Sequence, residues 1–400
     1  MTRPKILWHS NAPWTPTGYG QQTGLFTPLL NQKYDIAISS FWGLEGSRIV
    51  WNDMPVYPGM GGTFGNENLV DHARRHFDGD PKGGLVVTLM DVWVLDPRMA
   101  SQINLACWVP VDHEPAPPQV SQFFIESGAV PIAMSKFGAQ MLGRLDPLYV
   151  PHGIDTDAYQ PHDKAKVREQ VGVPQDAFLI GMVAANKGRP SRKGFQQAFQ
   201  AFKKFSETHE NAYLYLHTVI DGDIAQGENI PGILAALDIP KDRVLTADQY
   251  RMLYDPYSHD SMARIYSAMD VLLNPAMGEG FGITVLEAQA CGTPAIVTDF
   301  SAMREVCGAG WHVGYDPYWT GQNSWMAMPS IADIASALEE CYQLPKHKRE
   351  RLSQGARQHA VQYDLRRVAQ QHFLPALRVA EQRFANQQPV SIAPRLKAAA

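Results

Sequence analysis

Glu279 and Glu287 stand eight positions apart, at either end of the run EGFGITVLE. Gly278, Gly280 and Gly282 punctuate the first of these ends, and residues without a side chain let a backbone come close to a ligand. The apolar VLLN before the run reads as a buried strand, and the chain after it enters a helix near Ile283 and Thr284. A strand-to-helix turn gathers unpaired N–H groups and the positive end of the helix dipole in one place, which suits a phosphate. Carboxylates accept several hydrogen bonds and bind paired hydroxyls well. The stretch therefore holds the parts for a ligand with both phosphate and sugar hydroxyls. One acid would lie toward the phosphate-distal sugar, the other toward a ribose.

Three further groups of residues fit around such a ligand. The loop NKGRPSRKG places Lys187, Arg189, Arg192 and Lys193 between a strand and a long helix. Near the N-terminus, TPTGYG offers Gly18 and Gly20 in a loop after the first strand. A dinucleotide fingerprint is disfavoured there, because residues 11–17 separate strand from glycines and Thr23 occupies the place of the third glycine. His113, in VDHEP, follows an apolar strand over residues 105–111, so it points into the space where parallel sheets bind ligands. A metal site from Asp112, His113 and Glu114 is disfavoured, since neighbours on an extended chain alternate faces.

These residues need a frame, and the sequence supplies one. Apolar runs at 6–9, 34–39, 85–90, 105–111 and 130–134 alternate with helical stretches at 22–30 and 136–144. The pattern repeats with strands at 178–183, 213–218, 243–246, 271–274 and 294–298, and helices at 195–209, 230–237, 261–268, 284–290, 331–342 and 349–362. Strands interleaved with helices predict an α/β fold with parallel, helix-covered sheets. A chain of 400 residues is long enough for two cores of roughly 150–200 residues each. The expected division is a Rossmann-like lobe over 1–160 and a second over 172–362. An amphipathic helix at 364–383 and a mobile tail at 385–400 follow.

Composition narrows the function classes. With 45% hydrophobic and 19% charged residues and a net charge of −5, nothing favours a nucleic-acid partner. Four cysteines without C-x-x-C pairing favour reduced thiols over disulfides or zinc. The N-terminal apolar stretch ends at Trp8, too short for a signal peptide, and no run approaches a spanning helix. A cytoplasmic protein without a strong membrane signal is expected.

Glu279 and Glu287 within GEGFGITVLEAQACGTPAIVTD resemble the signature of the large retaining glycosyltransferase family of the GT-B type, glycosyl transferases group 1, typified by sucrose- and mannosyl-type enzymes. VPHGIDTDAYQP resembles its interdomain segment, and NKGRPSRKGFQQAFQAF its basic phosphate loop and following helix. The resemblance implies two Rossmann-like lobes facing across a cleft, with the C-terminal helix crossing back to the first. It implies a nucleoside-diphosphate sugar as donor substrate, no cofactor, no metal, and transfer with retention of anomeric configuration.

Carried over residue by residue, Glu287 would hold the ribose and Glu279 the transferred sugar. The donor would lie along Gly280, Phe281, Gly282, Ile283 and Thr284. Lys193 would pair with the diphosphate, and a second cation would come from Lys187, with Arg189 and Arg192 as competitors. Gly18 and Gly20 would approach the donor phosphates from the first lobe, and His113 would lie near the donor sugar as a catalytic residue. The nucleobase would sit near residues 250–254. The acceptor, whether glycan, protein or small molecule, would meet the first lobe, where Trp42, Trp51, Tyr57 and Phe64 offer rings to stack on. A nucleotide-sugar epimerase, a phosphorylase or a non-catalytic sugar-nucleotide-binding protein would use the same lobes.

Overall fold

A computed structural model of the chain describes residues 3–60, 62 and 64–386. In the first lobe the strands are β1 (Lys5–Asn11), β2 (Asp35–Trp42), β3 (Ile49–Trp51), β4 (Met54–Tyr57), β5 (Leu85–Leu89), β6 (Leu105–Val109), β7 (Val130–Ala133) and β8 (Leu148–Tyr149). Their spatial order is β3-β4-β2-β1-β5-β6-β7-β8, parallel throughout except where β3 meets β4. The second lobe holds β9 (Phe178–Val183), β10 (Ala212–His217), β11 (Val244–Thr246), β12 (Val271–Asn274), β13 (Ala295–Thr298) and β14 (Gly310–Val313). These run β11-β10-β9-β12-β13-β14, all parallel. A separate antiparallel hairpin pairs β15 (Tyr315–Trp319) with β16 (Trp325–Pro329).

Strands such as LACWV and FLIGMV are buried at every position. That is why they read as unbroken apolar runs, since helices cover both faces of a parallel sheet. In each sheet the order reverses at a central strand, between β2 and β5 around β1, and between β10 and β12 around β9. Ligands of open α/β sheets bind outside the carboxyl ends of the strands at such points.

Five helices position the site or brace the lobes: α1 (Gly18–Leu30), α2 (Phe195–Ser206), α3 (His259–Ala268), α4 (Ile283–Ala290) and α5 (Leu374–Asn386). On α2, Phe195, Phe199, Phe202 and Phe205 recur at helical spacing and are all buried against the second sheet. Helix α1 begins earlier than the sequence predicts. The Thr17 side chain accepts a hydrogen bond from the Gly20 N–H and caps it, so Gly18 and Gly20 lie in its first turn rather than in a loop. Strands β3, β4 and β14 to β16 have no counterpart in the sequence reading. Ile49 and Val50 of β3 are exposed, as are Tyr318, Trp319 and Trp325 of the hairpin, so no buried apolar run marks β3 or β15.

The chain crosses between lobes twice, side by side. Ile154 N–H donates to Tyr363 O at 3.0 Å, and Leu365 N–H donates to Ile154 O at 2.9 Å. After the return, a π-helical turn (Ala369–Phe373) leads into α5. Phe373 is fully buried among Trp8, Phe26 and Trp108, with ring centroids 5.6, 5.2 and 4.9 Å away. The C-terminal segment is thus fixed to the first lobe, as the fold class requires. From residue 387 on, the expected tail lies outside the described residues.

Candidate functional site

The β12–α4 turn meets the first lobe directly. A Cβ added at Gly278 would come within 2.4 Å of Asp112 O, and one at Gly280 within 2.4 Å of Pro110 Cβ. Two of the three glycines therefore also let the other lobe come close, a role that the sequence did not show. Gly282 has φ +98° and caps α4, a conformation other residues rarely adopt. The N–H groups of Gly280, Phe281, Gly282, Ile283 and Thr284 have no protein acceptor among the described residues. Five such donors at a helix N-terminus form an anion-seeking concavity.

At the front of this turn stands Glu279, buried, its N–H donating to Ser301 Oγ at 3.0 Å. Its carboxylate pairs with the Lys193 ammonium and, at 3.2 Å, with Arg192 Nη1. The same guanidinium nitrogen donates to Gly278 O at 2.7 Å. Burial pushes the Glu279 carboxyl up, but Lys193 and Arg192 outweigh it and hold the group below its usual range. Burial and the Arg192 charge lower the Lys193 ammonium, against the pull of Glu279. For Arg192, burial is outweighed by Glu279 and Asp112, which keep the guanidinium protonated. Its charged end lies among these acids although 44% of its side chain is open to the cleft.

Glu287 lies one turn into α4 in different company. Its Oε1 accepts from Gln21 Nε2 of α1, and its Oε2 from the Tyr266 hydroxyl of α3, both at 2.7 Å. Burial raises its pKa, only partly offset by those hydrogen bonds, and no cation pairs with it among the described residues. The Gln21 bond ties the two lobes together across the cleft.

First-lobe residues complete the wall. His113 is buried after β6, with Nδ1 2.7 Å from Asp112 Oδ1. Glu114, next in sequence, is exposed and pairs through its backbone with Trp325 of the hairpin. A cavity of about 430 Å³ lies here, lined by Asp91, Trp93, Asp112, His113, Arg192 and the hairpin turn at Thr320. Asp91 follows β5 and accepts from the Tyr19 hydroxyl at 3.2 Å. Burial and the nearby Asp112 charge raise its pKa.

The structure thus gathers Glu279, Lys193, His113 and residues 280–284 at one cleft, with Glu287 behind them. Gly18 faces this turn, its added Cβ 3.5 Å from Ile283 Cδ1, whereas Gly20 is hemmed by Thr15 and Ala12 of its own lobe. Of the cations expected beside Lys193, Arg192 is there. Arg189 is turned to Asp223 at 2.8 Å, and Lys187 is exposed, without an ion pair among the described residues. Tyr250 and Tyr254 are exposed on a short helix. Trp42 and Phe64 are exposed, while Tyr57 is buried on the His72 ring. Gln21, Asp91, Trp93 and the hairpin were not singled out by sequence. The hairpin had a signal, the polar TGQN between two aromatic runs.

Two parallel-sheet lobes, a cleft at the carboxyl ends of their central strands and a helix returning to the first lobe define the GT-B architecture. The second lobe matches the model of the family glycosyl transferases group 1 over residues 163–359. A D-inositol 3-phosphate glycosyltransferase of Actinosynnema mirum is 30% identical over 149 residues, 37% of this chain and 34% of that relative. The chain spans about a third to a half of the length of the curated relatives it matches. Sucrose-phosphate synthase from Thermosynechococcus elongatus shares the fold with a TM-score of 0.72 at 18% identity, over 96% of this chain and 100% of that one. Anabaena HepE in complex with UDP-glucose does so with a TM-score of 0.66 at 13% identity, over the same shares. No described helix is long and apolar enough to cross a membrane.

Proposed function

We propose that this chain transfers a hexosyl or related group from a nucleoside-diphosphate sugar to an acceptor hydroxyl, with retention and without a metal or cofactor. The observation that carries the reading is the Glu279–Lys193–Arg192 cluster set beside five N–H groups at the start of α4 that have no acceptor among the described residues. Such a place stabilises a leaving diphosphate by fixed positive charge, worth a few kcal/mol per donor. Lys193 and Arg192 bind the diphosphate together with the N–H groups of residues 280–284. Glu279 accepts hydroxyls of the transferred sugar, and Glu287 those of the ribose, exchanging its hydrogen bond from Gln21.

The cavity beside His113 is lined by Arg192 and Gly280, the groups that hold the diphosphate. An acceptor hydroxyl there reaches the anomeric carbon from the face the diphosphate leaves. Its oxygen bonds to that carbon as the bond to the phosphate oxygen breaks. The electron pair leaves with the diphosphate, and the hydroxyl proton passes to a phosphate oxygen. His113, oriented by Asp112, borders the reacting sugar.

UDP-glucose is the first donor to try, since the HepE fold is described with it. Calorimetry against UDP-, GDP- and ADP-sugars, with product analysis by NMR, tests the reading. Binding of one donor followed by an α-linked product from an α-linked donor supports it. Donor isomerisation without an acceptor, consumption of free phosphate, or binding without turnover overturns it.

A further inference from the structure

The cavity beside the donor cluster is lined by two carboxylates, Asp91 and Asp112, and by one cation, Arg192. We infer that it takes a neutral six-membered polyol ring as acceptor, lying against Trp93, rather than a phosphorylated one; this rests on the glycosyl-transfer reading. Asp91 and Asp112, from the ends of adjacent strands β5 and β6, line the cavity together with Trp93. Trp93 is 52% exposed although it lies beside a buried segment, so its indole offers a flat apolar surface to a ligand. The C–H face of a sugar or inositol ring matches that surface, and carboxylates accept its hydroxyls in pairs.

Arg192 is the single cation lining the cavity among the described residues, and Glu279 and Gly278 O already hold it. A phosphate on the acceptor would stand next to two aspartates and compete with the donor diphosphate for Arg192, and such like-charge juxtaposition is strongly unfavourable. The curated relatives are named for inositol 3-phosphate, so a neutral acceptor would set this chain apart from them. The hairpin closes the far side. Its strand β16 is bound to the first lobe by Glu114 N–H to Trp325 O at 3.0 Å and Trp325 N–H to Glu114 O at 3.1 Å. The Ser324 hydroxyl donates to Pro115 O beside them. This places Thr320, Gly321 and Gln322 as a third wall. The second lobe thereby supplies part of the surface that measures the acceptor's size.

The test uses the full chain and the donor found by calorimetry. Transfer is compared for methyl α-glucopyranoside and myo-inositol against glucose 6-phosphate and inositol 3-phosphate. A neutral ring is expected to exceed its phosphorylated counterpart at least tenfold in kcat/KM, the two neutral probes separating hexose from inositol. Trp93→Ala is expected to raise the acceptor KM about tenfold while the donor Kd stays within twofold, and Trp93→Phe to recover most of the loss. Asp91→Asn is expected to narrow the neutral-to-phosphorylated ratio. A phosphorylated probe preferred, or transfer to a phosphorylated probe with none to either neutral ring, overturns the inference alone, whereas binding with no turnover toward any acceptor overturns the glycosyl-transfer reading. Failure of every donor to bind overturns the glycosyl-transfer reading beneath it.

Discussion

Glu279 and Glu287 bound one short turn, yet the protein treats them in opposite ways. Glu279 is gripped by two cations that hold its carboxyl below the usual range. Among the described residues Glu287 is met by neutral donors, Gln21 and Tyr266, and burial leaves its carboxyl above that range. The difference separates two tasks that the spacing alone presents as a matched pair. The first end stores positive charge for a leaving group. The second end is a neutral clamp that also ties the lobes together.

The strongest way to break this contrast is at the charged end. Lys193→Ala and Glu279→Ala are each expected to lower transfer by about 10²–10³-fold with an unchanged circular dichroism spectrum. Turnover near wild type in either variant would remove that residue from the site. Arg192→Ala should cost about 10–100-fold and Lys187→Ala less than about threefold, because a fixed, partly enclosed cation acts more strongly than a solvated one. The reverse order would restore Lys187 as the second diphosphate cation.

At the other end, Glu287→Ala should weaken nucleotide binding by about 10–100-fold, the worth of hydrogen bonds to a charged group. Calorimetry with the bare nucleoside diphosphate measures it, and unchanged affinity would contradict the ribose role. The smallest effect separates the two acids by pH. A carboxyl depressed in the folded state stabilises above its unfolded value, about 4.3, and loses this as pH falls through the folded value. A raised carboxyl instead costs stability as pH rises from about 4.3 toward its folded value. Glu279→Gln should therefore lose Tm relative to wild type as pH climbs from 3 to 5. Glu287→Gln should gain it as pH climbs from 4 to 7. Parallel slopes would show that the two surroundings are not opposed.

Much of the frame was readable because parallel strands buried on both faces leave plain apolar runs, as in FLIGMV and LVVTL. The turn was readable because glycines, acids and an apolar strand coincide within a few residues. Partners brought together across the cleft left no local trace. Gln21 meets Glu287 from 266 positions away, and nothing in GYGQQTG distinguishes it from Gln22, which serves Gly153 instead. Choosing Arg192 over Lys187 depends on how the loop folds onto Gly278 O, a contact outside the reach of spacing. The purpose of Gly278 and Gly280 was likewise hidden, because Asp112 and Pro110 come from the other lobe.

The paired crossings at Ile154 and Asp364 have a mechanical consequence. Two strands of chain zipped to each other act as one broad hinge, so the lobes cannot swing about either connection alone. Opening must bend both together, about an axis through that zipper, and must give up the Gln21 latch and the Trp325 clasp on the far side. Entry and exit of a long molecule are then governed by a door with a fixed edge rather than by two freely tumbling halves.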